Sequence, residues 1–337
     1  MTHPLIIESM SRPAFYPHDP DSVDLIQTHI SFIFIVGDLV YKVKKAVDFG
    51  FLDFTSLEKR RFYVNEELRL NRRFSPDVYL RVLPISEVNG TLRLGDSSHI
   101  VEYALEMKRI SEDHMLYKLL DRGTVTENDM RKVGRHLARV YASIPSDEKA
   151  RAFGTLDIIA KNVIENFDQT RKYIGGPVAA TVFAILETWS TAFMADHRAL
   201  FDNRIAEGRI KDCHGDLHLQ HICMKDDTIS VFDCIEFNER FRFGDVASDV
   251  AFLSMDFDYN GKGNLGNAFV DAYGEASGDN TLSRVLTFYK VYRALVRAKV
   301  TSFMLDDTAI DESTRTDAFR KAQKYYDLAY SYVTHEN

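Results

Sequence analysis

Cysteine is scarce in this sequence, since its 337 residues include only Cys213, Cys223 and Cys234. An odd and sparse set does not make a disulfide framework, so we expect the chain in a reducing compartment. Long apolar runs are also lacking, because the longest, at residues 32–36, is far too short to cross a bilayer. Residues 1–13 lack the basic and apolar segments of a signal peptide. These absences predict a cytoplasmic protein with no membrane partner.

Positive charge is in deficit. Lysine and arginine total 42 against 50 aspartates and glutamates, which gives a net charge of −8 and a pI of about 5.8. A protein whose main ligand is nucleic acid usually has a basic face or a high pI, so we expect no nucleic-acid partner. The phosphate-binding motif G-x-x-x-x-G-K-[ST] is missing as well. Any nucleotide chemistry must therefore use another kind of site.

The first third of the chain has the pattern of an antiparallel sheet. Short segments rich in β-branched and aromatic residues are separated by turn signals such as Gly37-Asp38 and Asn89-Gly90. A capping-box pattern at Thr55-Ser56-Leu57-Glu58 begins a helix that Ser75-Pro76 closes. The predicted strands are residues 25–30, 32–36, 39–44, 79–85, 91–94 and 100–107.

From Ser111 onward the pattern is mainly helical, with one β-rich interruption at residues 210–237. Asp245 is expected to cap the helix that begins at Val246. The sequence thus predicts an α+β protein with two lobes. Residues 1–108 would form an N-terminal antiparallel sheet with one helix, and residues 109–337 a larger, mainly helical lobe. The predicted helices are near residues 130–144, 177–201, 246–257, 282–305 and 312–333.

The densest set of reactive residues lies in the β-rich interruption. The run Cys213-His214-Gly215-Asp216-Leu217-His218-Leu219-Gln220-His221 is followed by Val231-Phe232-Asp233-Cys234-Ile235-Glu236. Two short strands around an Asp226-Asp227 turn separate these runs, so Asp216 precedes one strand and Asp233 ends the next. Phosphoryl transfer needs one carboxylate to orient the acceptor hydroxyl and another to hold magnesium. The two aspartates at this spacing therefore favour phosphoryl transfer over an ordinary hairpin.

The segment His214-Gly215-Asp216-Leu217-His218 resembles the H-G-D-x-H signature of the aminoglycoside phosphotransferase and choline kinase family. The later stretch Gly244-Asp245 to Asp249-Val250-Ala251 is similar to the G-D-x-x-x-D-[LV]-A segment of the same family. Tyr41-Lys42-Val43-Lys44-Lys45 and the run from Glu67 to Arg73 resemble a bacterial branch that is often fused to a P-loop ATPase domain. The resemblance covers nearly the whole chain and implies a protein kinase-like fold.

The resemblance also implies roles for the acidic residues. Asp216 would be the catalytic base that faces the acceptor hydroxyl, and Asp233 the main Mg²⁺ ligand. Glu236 is a further candidate for the metal site. His221 stands where the family has a magnesium-binding Asn, and imidazole suits magnesium less well than oxygen does. The second metal contact would therefore be weaker, or would come from water or Glu236.

The remaining assignments concern the nucleotide, which the resemblance implies is ATP. Lys42 or Lys44 on the third strand would contact the phosphates, and we favour Lys42 because Lys44 begins a solvated Lys-Lys end. Glu66 or Glu67 on the following helix would pair with this lysine, and the helical period barely separates them. The backbone at Met107 would meet the adenine. The family's glycine-rich loop is absent, and Thr28-His29-Ile30-Ser31 occupies its place, so Ser31 is a candidate phosphate contact.

A metal site of another kind is the main alternative. Cys213, His214, His218, His221 and Cys223 lie within eleven residues, and all are competent zinc ligands. The alternative leaves the strand lysine and Asp233 unexplained, whereas the kinase interpretation explains both.

A degenerate kinase that binds nucleotide without transferring phosphate is a second alternative, and nucleotidyl transfer to protein is a third. The substituted histidine and the missing glycines motivate the second alternative. Retention of both aspartates and a strand lysine favours an active enzyme. The sequence therefore predicts an ATP- and Mg²⁺-dependent kinase that phosphorylates a hydroxyl of a small molecule. The acceptor itself is not encoded in any recognisable motif.

Overall fold

The computed structural model describes residues 5–50 and 52–334. Within them the strands are β1 (Asp24–Gln27), β2 (Ser31–Val36), β3 (Leu39–Lys44), β4 (Tyr79–Val88), β5 (Thr91–Leu94), β6 (Ile100–Lys108), β7 (Ile210–Asp212), β8 (Ile222–Lys225), β9 (Thr228–Val231) and β10 (Phe243–Asp245). The helices are α1 (Ile6–Met10), α2 (Leu57–Asn71), α3 (Leu116–Asp121), α4 (Glu127–Ser143), α5 (Glu148–Ala152), α6 (Leu156–Thr170), α7 (Ala180–Asp196), α8 (Arg198–Ala206), α9 (Glu239–Arg242), α10 (Val246–Tyr259), α11 (Gly263–Ser277), α12 (Leu282–Phe303) and α13 (Glu312–Thr334).

The described residues form two compact units. The first unit comprises the residues up to Asp121 together with Gln220–Glu239, and the second comprises Arg122–Leu219 together with the residues from Arg240 onward. The first unit therefore recruits a segment from the β-rich interruption far along the chain. The domain division at residues 108 and 109 stays a prediction.

The sheet of the first unit has six antiparallel strands in the order β1-β2-β3-β6-β4-β5. Two tight turns fix its register. Gly37 has a φ of +60° between β2 and β3, and Val36 pairs with Leu39 across that turn. Asn89 and Gly90 have φ of +52° and +77° between β4 and β5, as a type I′ turn requires. Both hairpins predicted from the sequence are confirmed.

Helix α2 packs against β4 and β6 of this sheet. Its N-cap is Ser56, whose hydroxyl oxygen accepts a hydrogen bond from the Lys59 amide at 3.2 Å. Val64 on the helix joins a small buried cluster with Tyr79 and Leu105 of the sheet. This packing fixes the position of α2 against β4 and β6.

The second unit is built from helices, with α4 packed on α11 and with α12 packed on both α10 and α13. The Asp245 side chain accepts a hydrogen bond from the Ala247 amide at 2.9 Å and caps α10, as predicted. The two longest helices, α12 and α13, carry several charged residues each. Within residues 5–50 and 52–334, no helix combines the length and apolarity that membrane crossing requires.

Two helix predictions are wrong in detail. The single helix expected near residues 177–201 is two helices, because the backbone turns at His197, where φ is −114° and ψ is 22°. Pro177 lies before α7 and not in its first turn. Helix α11 was not anticipated, because its sequence contains Gly263, Gly266 and Gly274 and so lacks a strong helix signal.

Close packing of α4 on α11 generates a stability prediction. A Cβ added at Gly134 would lie 2.5 Å from the carbonyl oxygen of Phe269 and 2.9 Å from the amide of Tyr273. Backbone atoms cannot give way cheaply, so we expect Gly134→Ala to destabilise the fold by about 1–3 kcal/mol. Chemical denaturation measures this change. The matched control is Gly274→Ala on α11, whose added Cβ would meet the Leu282 side chain at 3.7 Å.

In the control, the helix propensity of alanine should stabilise the protein by up to about 1 kcal/mol. Equal effects of the two substitutions would contradict the assigned packing.

Candidate active site

Two lysines and three carboxylates of the first unit form a lysine–carboxylate cluster: Lys42, Lys44, Glu67, Asp233 and Glu236. The Nζ atom of Lys42 lies 2.7 Å from Glu67 Oε1 and 3.1 Å from Asp233 Oδ1. The Nζ atom of Lys44 lies 2.7 Å from Glu67 Oε2 and 2.5 Å from Glu236 Oε1. Glu67 therefore bridges the two lysines, and each lysine also contacts one carboxylate of the segment that follows β9.

The placement of the lysines corrects one expectation. Side chains alternate along a strand, so Lys42 and Lys44 lie on the same face of β3. The Lys44 side chain is 1 % exposed, whereas the sequence predicted a solvated residue. Its ammonium group can be buried because two carboxylates satisfy it, and strand position alone does not reveal those partners.

The structure separates the two candidate glutamates of α2. Glu67 is buried and contacts both lysines. Glu66 points elsewhere and pairs with Arg69, whose Nη2 is 2.7 Å from its Oε2. Of the two glutamates that the helical period barely separated, Glu67 is therefore the one that pairs with the strand lysines. The nucleotide-related role of either glutamate stays a prediction.

Charge coupling dominates the protonation of the cluster. Burial by itself lowers the pKa of Lys42, but the carboxylates of Asp233, Glu67 and Glu236 outweigh it and raise that pKa well above its usual value. Burial raises the pKa of Glu67, and the two lysines overcome this effect and lower it. The pKa of Glu236 is raised, because burial exceeds the attraction of Lys44. Both lysines are therefore charged. Of the two glutamates, Glu236 is the one that is protonated more easily.

Side chains between the end of α2 and the start of β4 hold the backbone that carries Asp233. Ser75 Oγ accepts a hydrogen bond from the Val231 amide at 2.8 Å. Tyr79 OH accepts one from the Asp233 amide at 3.1 Å, and Asn71 Oδ1 accepts one from the Cys234 amide at 2.9 Å. These bonds support the left-handed conformation of Asp233, whose φ is +66°. Its carboxylate remains 49 % exposed and accessible to a ligand.

The residues beside Asp233 include both other candidate metal ligands. His221 ends a short 3₁₀ turn, and its Nε2 lies 3.6 Å from Asp233 Oδ2. His221, which stands at the position of the family's magnesium-binding Asn, therefore lies next to the Asp233 carboxylate. Glu236 is buried against Lys44. Because magnesium prefers oxygen ligands and keeps several waters, the exposed carboxylate of Asp233 fits it better than the imidazole or the buried glutamate.

Two other assignments lie elsewhere in the first unit. Met107 is on β6, where it pairs with Val40, and its adenine role stays a prediction. Ser31 begins β2, and its amide donates to Thr28 Oγ1 at 3.0 Å. The Ser31 hydroxyl is fully buried and has no hydrogen-bond partner among the described residues. A phosphate role for Ser31 stays a prediction, and this placement argues against it.

In the second unit, Asp249 of α10 fixes the loop that carries Asp216. One of its oxygens accepts a hydrogen bond from the His214 amide at 2.8 Å, and another accepts one from the Gly215 amide at 3.2 Å. Tyr141 of α4 donates its hydroxyl to Asp249 at 2.5 Å. Gly215 has a φ of +87°, which only glycine adopts readily, so the sequence motif matches a backbone requirement.

A residue of α12 also holds the loop that carries Asp216. Arg293 donates to the Gly215 carbonyl at 2.8 Å and to Ser248 Oγ at 2.9 Å, and its Nη2 lies 3.3 Å from Asp249 Oδ1. No local motif in the sequence indicates this role for Arg293, because its partner Gly215 is 78 positions away. The Asp216 carboxylate stays 35 % exposed, with His218 Nε2 at 3.5 Å from it. A rigid backbone thus presents an accessible carboxylate.

Three of the five predicted zinc ligands, Cys213, His214 and Cys223, do not lie in a metal-binding arrangement among the described residues. His214 is fully buried, and its Nδ1 accepts a hydrogen bond from the Asp216 amide at 3.3 Å. Cys213 Sγ lies 3.3 Å from the Gly244 carbonyl oxygen. In the described part of the chain, no group of three potential ligands at metal-binding distance includes Cys213, His214 or Cys223.

The family of the chain follows from a comparison with known families. The model of the phosphotransferase enzyme family matches residues 114–286, which include the Asp216 loop, Asp233 and Asp249. The chain belongs to the phosphotransferase enzyme family. The family resemblance stated from the motifs is therefore confirmed.

Solved structures share the fold over nearly the whole chain. A choline/ethanolamine kinase family protein from Mesorhizobium loti superposes with a TM-score of 0.54 at 12 % identity, covering 98 % of this chain and 99 % of that one. The GDP complex of aminoglycoside 2′-phosphotransferase-IIIa gives 0.55 at 11 % identity, covering 96 % and 98 %. Amicoumacin kinase with AMP-PNP and Ca²⁺ gives 0.50 at 9 %, covering 96 % and 92 %. The predicted α+β, kinase-like fold is confirmed.

The curated relatives are longer than this chain. Uncharacterized proteins of Mycobacterium tuberculosis and Mycobacterium bovis are 30 % identical to it over 282 residues. The match covers 84 % of this chain and 55 % of each relative. The chain therefore spans about half the length of the curated relatives it matches. The ATPase domain expected in related proteins stays a prediction.

The lysine–carboxylate cluster generates a prediction about stability. Lys44→Met would leave the buried Glu236 without its cation and Glu67 with Lys42 alone. Breaking a buried ion pair from one side typically costs about 3–5 kcal/mol, so we expect a loss of that size in urea denaturation. The double variant Lys44→Met/Glu236→Gln also removes the carboxylate that lost its cation and should recover part of the loss.

Lys45→Met is the matched control. Lys45 Nζ contacts the Thr28 carbonyl at an exposed site, so its removal should change the free energy of unfolding by less than about 1 kcal/mol. If Lys44→Met were as mild as Lys45→Met, the buried charge network would have to be wrong.

Proposed function

We propose that this chain is an ATP- and Mg²⁺-dependent phosphotransferase that moves the γ-phosphoryl group of ATP to a hydroxyl of a small molecule. The observation that carries the proposal is the double contact of Lys42, which pairs with Glu67 of α2 and with Asp233. Phosphoryl transfer in kinase-like folds relies on a strand lysine held by a helix glutamate and on an aspartate for the metal. The first unit contains all three groups in contact.

The charge balance of the lysine–carboxylate cluster supports a cation site at Asp233. Three carboxylates face two ammonium groups, and the most exposed of the carboxylates is Asp233. Magnesium bound there would supply the charge that neutralises the phosphate oxygens. Lys42, no longer needed by Asp233, would turn its ammonium toward the phosphates while Glu67 keeps it in place. Lys44 would hold Glu67 and Glu236 in position throughout.

Asp216 would orient the acceptor hydroxyl and accept its proton. The backbone of its loop is fixed by Asp249 and Arg293, while the carboxylate itself is partly exposed. Such fixation favours catalysis, because a base that is already positioned loses little entropy when the acceptor arrives. General base catalysis of this kind contributes about 10²–10⁴-fold to a rate.

The neighbours of the fold support a nucleotide and a divalent cation. One of them is a GDP complex, and another holds AMP-PNP with Ca²⁺. We extend to this chain the use of a nucleoside triphosphate with a divalent metal, and we choose ATP and Mg²⁺ from the family resemblance. The cytoplasmic location and the absence of a nucleic-acid partner stay predictions.

Nucleotide binding can be tested before any acceptor is known. We expect Mg²⁺·ATP to raise the melting temperature of the wild-type protein more than ATP without metal does. A ligand at about 100 times its dissociation constant stabilises a fold by about 2.7 kcal/mol, which a thermal melt resolves. Asp233→Asn should lose the metal-dependent part of the shift, because it removes the charged oxygen ligand. Mg²⁺·GTP serves as the comparison nucleotide.

Asp226→Asn is the matched control for this test. Asp226 also has a positive φ, at +48°, and lies on the turn between β8 and β9. It should keep the full magnesium-dependent shift. Absence of any nucleotide shift in the wild-type protein would refute the proposal.

Asp216→Asn tests the catalytic assignment separately. The amide keeps the shape of the side chain but cannot accept the hydroxyl proton, so phosphoryl transfer to acceptors in a panel of hydroxyl compounds should fall at least about 100-fold. The Mg²⁺·ATP melting shift should persist, since Asp216 belongs to the second unit and Lys42 and Asp233 to the first. Unchanged turnover in Asp216→Asn would show that another group is the base. Binding of nucleotide without transfer to any hydroxyl compound would favour a degenerate kinase.

A further inference from the structure

Helix α12 has an unusual charge for a chain with a net charge of −8. Its 22 residues include five basic residues and no acidic residue. Arg284 is exposed near the first turn, and Lys290 pairs with Asp258 at 2.8 Å. Arg293 is committed to the Asp216 loop, as described above. A helix of one charge sign thus lies against the loop of the proposed base.

Arg297 follows Arg293 by one helical turn. Residues four apart lie on the same face of a helix and are separated by about 6 Å along its axis. Arg293 contacts the carbonyl of Gly215, and the next residue of that loop is Asp216. The repeat therefore places Arg297 on the face of α12 that contacts the Asp216 loop. Burial lowers the pKa of Arg297, but Tyr325, Asp216 and Asp256 outweigh it and raise that pKa.

The guanidinium of Arg297 forms no ion pair with a described carboxylate. In the described parts of the chain, no carboxylate lies within 4.0 Å of it. Its Nε donates a long hydrogen bond of 3.4 Å to Tyr325 OH, and the guanidinium carbon lies 5.6 Å from the centre of the Tyr325 ring. These contacts orient the side chain and leave the two terminal nitrogens available to an anion.

The groups around Arg297 act on its charge without an ion pair. Asp256 of α10 accepts a hydrogen bond from the Leu219 amide at 3.0 Å, so it is already engaged by the loop. Tyr325 of α13 stacks on Tyr259 of α10, with ring centres 4.0 Å apart, and Lys324 lies over the Tyr259 ring. The surroundings of Arg297 are thus aromatic and basic on the α13 side.

We propose that Arg297 binds an anionic substituent, a phosphate or a carboxylate, of the acceptor whose hydroxyl Asp216 orients. The proposal rests on the proposed function and names the class of its substrate: a hydroxy compound that already carries a negative group. A planar guanidinium offers paired donors that match both anions. A polycationic amino sugar would instead meet a like charge beside the base, which costs binding energy.

The reaction then balances with no further reagent. The acceptor hydroxyl oxygen forms a new bond to the γ-phosphorus of ATP, and the bond between that phosphorus and the β,γ-bridging oxygen breaks. The hydroxyl proton passes to Asp216 and from there to solvent, and ADP leaves with the electron pair of the broken bond. Arg297 contacts the substrate but takes no part in the proton transfer, so its effect should appear mainly in KM.

The experiment compares matched acceptors with the full chain and Mg²⁺·ATP. The panel consists of glycerol, glycerate and glycerol 3-phosphate, glucose and glucose 6-phosphate, and the amino sugar kanamycin. Transfer of radiolabelled γ-phosphate gives kcat and KM, and melting shifts in Mg²⁺·ADP give binding. We expect kcat/KM to be about tenfold higher for at least one anionic acceptor than for its neutral counterpart. If turnover is too slow to measure, that acceptor should raise the melting temperature while its neutral counterpart does not. The carboxylate and phosphate members distinguish the two anions.

Arg297→Ala should remove that preference, chiefly by raising KM, and Arg297→Lys should restore part of it because the charge returns without the planar fork. Arg284→Ala removes the same charge from an exposed position on the same helix and should keep the preference.

The inference is overturned if kanamycin or a neutral member is preferred, if Arg297→Ala keeps the preference, or if no anionic member binds better to wild type than to Arg297→Ala. Each of these results leaves the proposed function standing as long as Mg²⁺·ATP still shifts the melt of wild type but not of Asp233→Asn. Loss of that shift would instead refute the proposed function.

Discussion

The buried ion pairs of Glu67 are the interaction on which the first unit depends. A carboxylate in the interior is stable only if cations and hydrogen bonds replace its water, and here two lysines on one face of β3 do so. Neither lysine is sufficient alone, because Glu236 is also buried and takes Lys44 as its partner. This division leaves Lys42 as the lysine that faces the exposed Asp233. The proposed function thus gives the phosphate contact to Lys42, whereas Lys44 supports the buried carboxylates.

Both units fix the backbone of a candidate site aspartate by the same physical means. Backbone amides next to Asp233 donate to the buried side chains of Asn71 and Tyr79, and amides next to Asp216 donate to Asp249. In each case the backbone is bound and the carboxylate is left partly exposed. Each loop is therefore held through its backbone amides, while 49 % of the Asp233 side chain and 35 % of the Asp216 side chain stay exposed.

Local signals in the sequence predicted what is local in the structure. The hairpins at Gly37-Asp38 and Asn89-Gly90 follow from turn chemistry, and the cap at Asp245 follows from one side chain and one amide. The burial of Lys44 could not be predicted, because it depends on Glu236, a residue 192 positions away. The role of Arg293 was missed for the same reason, since its partner Gly215 is 78 positions distant. Long-range charge pairing has no local pattern, and it decides most of the candidate site.

Net charge is a poor guide to ligand charge when basic residues are concentrated in one element. The chain as a whole is acidic, yet α12 carries five basic residues and no acidic one beside the Asp216 loop. An anionic acceptor approaching this helix would gain from Arg297 at short range, where screening by salt is weak for a partly buried group. A cationic acceptor would gain from the acidic surface only at long range, where salt screens the attraction. In the proposed role of Arg297, selection between acceptors would therefore depend on the few ångströms around Asp216, where the guanidinium would favour the anion.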